Sequence, residues 1–171
     1  LFVGPNTLEA QAESIATGLS GSVCMGTGQF CTSPGIVVSV ASEVFETTLK
    51  NRLSETPRGY LLNPQIAASL QASLESLNDH PQLEWLNRAD FEASSMTPPN
   101  AVFKTSARDF LADETMSEEV FGPVTLYVVC ENEAQMIQVA ENLKGNLTAS
   151  VHADEDMELA GKLFDVLEQK V

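Results

Sequence analysis

The sequence predicts an α/β domain built on a mostly parallel sheet. Three observations carry that reading. Apolar, β-branched runs at residues 36–40, 101–105 and 124–130 have the length and composition of strands. Between such runs, apolar residues recur at helical spacing, as at Leu8, Ala12, Ile15, Ala16 and Leu19. In the second half strand and helix alternate, the sign of βαβ units around a parallel sheet.

Taken in order, Leu1-Phe2-Val3 reads as the end of a strand, and Gly4-Pro5-Asn6 turns the chain. Thr7 is the expected cap of a helix running to about Val23, weakened at its end by Gly18 and Gly21. The strand at 36–40 follows. Ser42 caps a helix over 43–53, where Val44, Phe45, Leu49 and Leu53 are expected to face the core. Lys50 and Arg52 stand near its end, where the helix dipole favours cations. Asn63-Pro64 opens a helix over 65–77, with proline near the first helical position. Residues 78–81 close it and put His80 in a surface turn. Short strands are expected near 83–86 and 91–93, then a loop over 96–100. After the strand at 101–105, residues 108–117 are polar and mixed. Beyond the strand at 124–130, Asn132 caps a helix over 133–144, with Gln135 as capping-box partner. A strand at 146–151, ending next to His152, and a last helix capped by Asp154 complete the chain. Both ends read as cut from a longer fold.

The 171 residues suit one domain. At this size about 70% of the unfolded chain's surface is buried on folding, enough for a sizeable core. With 43% hydrophobic and 19% charged residues, the composition is globular. Twenty-four acidic residues against nine basic ones leave a net charge of -15. So acidic a chain repels phosphate backbones and anionic lipid, which argues against nucleic acid and membrane surfaces as partners. Leu-Phe-Val-Gly-Pro-Asn has no basic region and does not read as a signal peptide. Cys24, Cys31 and Cys130 form no CxxC and leave an odd thiol, which favours a reducing, cytoplasmic setting. With His80 and His152 as the only histidines, no metal site is expected.

Candidate chemistry gathers in Met25-Gly26-Thr27-Gly28-Gln29-Phe30-Cys31-Thr32-Ser33-Pro34-Gly35. Cys31 lies on a loop between a helix and a strand, where rigid elements present catalytic side chains. The glycines leave room beside the sulfur and let backbone N–H groups approach a bound group. By residue type alone, Cys31 reads as a small buried hydrophobe, as most free cysteines do. Glu118-Glu119-Val120-Phe121-Gly122-Pro123 is a second distinctive loop. On its own, it is a solvated acidic pair beside a core aromatic.

Together three stretches resemble the NAD(P)-dependent aldehyde dehydrogenase superfamily. They are Gly28-Gln29-Phe30-Cys31-Thr32-Ser33-Pro34, Glu118-Glu119-Val120-Phe121-Gly122-Pro123-Val124, and Gly145-Asn146-Leu147-Thr148-Ala149-Ser150-Val151. The resemblance covers essentially the whole chain and looks closest to 2,5-dioxopentanoate (α-ketoglutarate semialdehyde) dehydrogenases and some fatty-aldehyde dehydrogenases. It implies a three-layer α/β/α domain of the aldehyde dehydrogenase catalytic-domain type over residues 1–171. It implies Cys31 as the nucleophile, passing through a thiohemiacetal and a thioester. Glu119 is implied as a ribose ligand and Phe121 as a neighbour of the nicotinamide of NAD or NADP. The dinucleotide-binding domain, the general-base glutamate and the oligomerisation hairpin are not recognisable here. The 171 residues alone are therefore expected to be inactive. The resemblance also implies a small aldehyde substrate and a homodimeric or homotetrameric whole protein.

Two other readings stand beside this one. A Cys–His thiol hydrolase would pair Cys31 with His152 or His80. A non-catalytic α/β scaffold would make Cys31 structural. The preferred reading takes His152 as a strand-end residue.

Overall fold

Side chains alternate across a strand, so consecutive residues face opposite layers. In the computed structural model, which describes residues 1–171, this alternation builds the whole domain. Six strands form one sheet: β1 (Phe2–Val3), β2 (Ile36–Val40), β3 (Glu84–Trp85), β4 (Ala101–Ser106), β5 (Val124–Cys130) and β6 (Val151–His152). Their order is β3-β4-β5-β2-β1-β6. Every pairing is parallel except β3 with β4, an antiparallel edge of the kind common on parallel sheets. Trp85 stacks on Phe103 there, ring centroids 4.9 Å apart.

Six helices cover the two faces: α1 (Pro5–Cys24), α2 (Glu43–Glu55), α3 (Pro64–Asp79), α4 (Ala107–Ala112), α5 (Glu133–Asn142) and α6 (Met157–Leu167). Val3, Val37, Val102 and Tyr127 pack with α1 and α2. Their neighbours Phe2, Val38, Phe103 and Val128 pack on the other side with α3 to α6. The result is the three-layer α/β/α architecture. Each fully buried large apolar side chain, such as Phe45 or Leu163, contributes about 1.5–3 kcal/mol.

Sequence caps hold at three helices. Ser42 Oγ accepts from Phe45 N–H (3.3 Å), Asn63 Oδ1 from Ile66 (2.9 Å) and Asn132 Oδ1 from Gln135 (3.0 Å). Gln135 Oε1 reaches back to Glu131 N–H at 2.8 Å.

Elsewhere the structure departs from the local signals, in several places because long-range bonds override them. Helix α1 begins at Pro5, so Thr7 lies inside it. Its free amides are met by the buried carboxylate of Asp156, which accepts from Asn6 N–H (3.3 Å) and Thr7 N–H (3.0 Å). The Thr7 hydroxyl instead accepts from Glu155 N–H at 3.1 Å. Asp156, not Asp154, stands at the start of α6, which ends at Leu167. The strand expected at 91–93 does not form. Ala93 N–H donates to Gln71 Oε1 at 2.8 Å, and Ala93–Ser95 make a 3₁₀ turn. The mixed stretch 108–117 becomes α4, capped by Ser106, and a 3₁₀ turn at Glu114–Ser117, capped by Asp113. Helix α5 stops at Asn142. The strand expected at 146–151 shrinks to β6, because Asn146 N–H donates to Lys170 C=O at 2.7 Å. No helix is long and apolar enough to cross a membrane. No group of three or more His, Cys, Asp and Glu side chains is placed to hold a metal.

Candidate active site

The loops that enter parallel strands all lie at one edge of the sheet. Cys31 precedes β2, Glu119 and Phe121 precede β5, and Gly145 to Thr148 precede β6. All three therefore arrive at the amino-terminal edge, opposite to the carboxyl edge where open parallel sheets usually hold ligands. They line a single cavity of about 650 Å³, within the usual range for ligand sites. Strands β2 and β5 are direct neighbours, so their loops meet. Strand β6 lies beyond β1, and its loop must reach back to the cavity.

Contact between the first two loops is backbone on backbone. Gly28 has φ +65°, and a Cβ there would overlap the Gly122 carbonyl and the Pro123 nitrogen. Only glycine allows both the left-handed backbone and that approach. Thr27 beside it is also left-handed, at φ +60°, a conformation costing about 1–2 kcal/mol for an L residue. It is buried at 7% exposure, and Gly59 is tight against its hydroxyl. The turn is thus held in shape by its neighbours. Beyond it Ser33 N–H donates to Phe30 C=O at 3.0 Å, leaving Cys31 exposed at the tip. The Cys31 N–H has no acceptor within the backbone.

No protein-family model matches the chain. In sequence it is 34% identical to α-ketoglutaric semialdehyde dehydrogenase 2 of Azospirillum brasilense, over 97% of this chain and 32% of that protein. It is 30% identical to the α-ketoglutaric semialdehyde dehydrogenase of Acinetobacter baylyi, over 99% of this chain and 33% of that protein. An NAD-dependent benzaldehyde dehydrogenase from Corynebacterium glutamicum superposes with a TM-score of 0.76 at 19% identity, over 98% of this chain and 37% of that one. A succinic semialdehyde dehydrogenase from Streptococcus pyogenes, in complex with NADP+, gives 0.72 at 19% identity, over 98% and 38%. The chain is a relative of the aldehyde dehydrogenases. It has their catalytic-domain fold and spans about a third of the length of the curated relatives it matches.

In this aldehyde dehydrogenase relative Cys31, Glu119 and Phe121 all reach the cavity. Glu119 is exposed and the Phe121 ring is 38% exposed. The other two thiols are unlike Cys31. Burial pushes Cys24 up to about 11, against a hydrogen bond to Thr56, and pushes Cys130 up to about 12. They close α1 and β5 respectively.

His80 is not the free surface residue expected from its turn. It is half-buried and lines the cavity, with Nε2 at 3.1 Å from Asp113 Oδ2. That carboxylate is held down at about 2, first by the Thr115 hydroxyl and N–H and then by His80. His152 ends β6, exposed, with its carbonyl accepting from Gly4 N–H at 2.8 Å. Neither imidazole is hydrogen-bonded to Cys31 Sγ.

Sequence reasoning passed over Gln29, whose amide ties the cysteine loop to Tyr60 and Leu62. The only hint was a long polar side chain inside a glycine turn. It also passed over Ser73, Ser76 and Leu77, which carry one wall of the cavity on α3. Nothing in their local pattern separates them from an ordinary amphipathic helix.

Proposed function

We propose that residues 1–171 form the catalytic domain of an NAD(P)-dependent aldehyde dehydrogenase, with Cys31 as its nucleophile. The observation that carries this reading is the convergence of three separate loops on one cavity, with the exposed thiol at its edge. The substrate is a keto-acid semialdehyde, a class supported by the names of the two curated relatives.

The cavity fits one end of the cofactor. Glu119 offers a carboxylate, an acceptor-only group suited to the two hydroxyls of a ribose. Phe121 offers a partly exposed ring on the same loop. Lys144 and His80 are the only basic side chains in the lining, too little countercharge for a pyrophosphate. The nicotinamide riboside end belongs here, and segments outside these residues bind the rest.

Cys31 Sγ, as thiolate, adds to the aldehyde carbon; a C–S bond forms and the carbonyl oxygen takes the electron pair. The unpartnered Cys31 N–H is the donor for that oxyanion. A nicotinamide held by Glu119 and Phe121 would supply the acceptor for the hydride that leaves this carbon, turning the adduct into a thioester. Water then adds to the thioester, the C–S bond breaks, and the carboxylate departs with Cys31 restored. The base for that water lies outside these residues, so the isolated chain does not turn over.

Activity of the whole protein tests this, as NAD(P)H formed from α-ketoglutaric semialdehyde. Cys31→Ala is expected to lower the rate at least about a thousandfold. Glu119→Gln keeps shape but weakens the charge-assisted bonds to ribose, slowing hydride transfer while Cys31 alkylates normally. Turnover that survives Cys31→Ala sinks the reading.

A further inference from the structure

The geometry points to Gln29 as the positioning residue for Cys31, an inference that rests on Cys31 being the nucleophile. Its carboxamide uses both donors and its acceptor in one bridge. Nε2 donates to Gly26 C=O (2.9 Å) and Tyr60 C=O (3.2 Å), and Oε1 accepts from Leu62 N–H (2.8 Å). Those partners lie 31 and 33 residues away for Tyr60 and Leu62.

The far end of the bridge is anchored. Leu61, between the two partners, is 5% exposed, and its N–H donates to Met96 C=O at 2.9 Å. The near end is not. Phe30, Cys31 and Thr32 are all exposed, and the turn they form is closed by the single Ser33-to-Phe30 bond. Gln29 is thus the last residue before the thiol whose side chain is tied to the body of the domain.

The bridge covers little core. Tyr60 and Leu62 are 75% and 77% exposed. Removing the carboxamide therefore frees the loop tip while leaving the packed layers in place. A thiol and an N–H displaced by about 1 Å from the reacting carbon can lose about a hundredfold in rate.

Two variants of the whole protein test this with NAD+ or NADP+ and α-ketoglutaric semialdehyde. Gln29→Ala is expected to lower kcat by about 10- to 100-fold, with KM changed less than about threefold and the unfolding midpoint nearly kept. Gln29→Glu keeps the acceptor for Leu62 N–H but aims a carboxylate at two carbonyl oxygens, which favours its protonated form. Its kcat relative to wild type is therefore expected to rise as pH falls from 8 to 6. A purely structural role gives no such slope. Wild-type kcat in Gln29→Ala, or a flat Gln29→Glu ratio, overturns the assignment. If Gln29→Ala does not fold, the Gln29→Glu profile decides alone. Turnover lost in Cys31→Ala but intact in Gln29→Ala sinks this inference only; turnover kept in Cys31→Ala sinks the nucleophile.

Discussion

Two loops reach the same cavity and are built in opposite ways. The cysteine loop, 25–35, is braced on several sides. Gly28 is seated on Gly122 and Pro123, Gly59 presses on Thr27, and Gln29 bridges to Tyr60 and Leu62. The loop at 143–150 is nearly free of such ties. One backbone bond, Asn146 N–H to Lys170 C=O, holds its middle, and Leu147 is 64% exposed. A methyl group at Gly145 would meet nothing closer than Lys170 C=O at 3.9 Å. A reacting atom needs a defined position, and a rim does not. Strain at Thr27 persists because its neighbours over-determine it.

The largest expected contrast is chemical. Alkylation of the folded chain at pH 8, followed by mass spectrometry, is expected to label Cys31 first. With Cys24 at about 11, on the order of one molecule in a thousand carries that thiolate at pH 8. Cys130, at about 12 and 2% exposed, is slower still. Labelling of Cys24 should rise about tenfold per pH unit up to pH 10. Earlier labelling of Cys24 or Cys130 than of Cys31 contradicts the braced, outward-facing loop.

Glycine replacements compare the loops directly. Gly28→Ala forces a Cβ into the Gly122 carbonyl while keeping an unfavourable positive φ, and is expected to cost on the order of 3 kcal/mol. Gly145→Ala meets only an ordinary contact with Lys170 C=O at 3.9 Å and is expected to stay within about 0.5 kcal/mol of wild type. Urea unfolding of both measures this. Equal effects would show that the two loops are not differently held.

The strands were legible because their period of two needs no tertiary knowledge. Val37 with Val38 and Val102 with Phe103 divide between layers as alternation demands. Side chains that cap their own helix were legible too, as at Ser42, Asn63 and Asn132. Much of what failed depended on distant partners, although the local caps Ser106 and Asp113 of the 107–117 stretch went unread as well. Thr7 has the chemistry of a cap, yet a carboxylate 149 residues away takes its amide. Residues 146–150 have strand composition, yet Asn146 bonds to the irregular end of the chain at Lys170, and only Ser150 reaches β1, accepting from Phe2 N–H. Cys31, Glu119 and Phe121 came from motif resemblance, and their meeting follows from parallel strands entering one edge. Gln29 stayed hidden because Tyr60 and Leu62 are brought to it only by the fold.

The smallest expected effect lies at the start of the second braced loop. Asp113 caps the turn at Glu114–Ser117, which leads directly into Glu118–Pro123. Thr115 donates to its Oδ1 from the hydroxyl (2.7 Å) and N–H (2.9 Å), and His80 Nε2 lies 3.1 Å from Oδ2. These hold the carboxyl at about 2, against an ordinary value of 3.8. The folded chain therefore takes up this proton less readily than the unfolded one. Stability from the carboxylate is complete above about pH 4 and is lost as pH falls through about 2. Because the group is open to solvent, the contribution is small. Asp113→Asn keeps an acceptor for Thr115 but removes the charge. The gap in urea midpoint between wild type and this variant should close as pH falls from 4 towards 2.5. A gap that persists unchanged at the acid end would mean that the neutral acceptor, not the charge, holds the turn that carries Glu119 to the cavity.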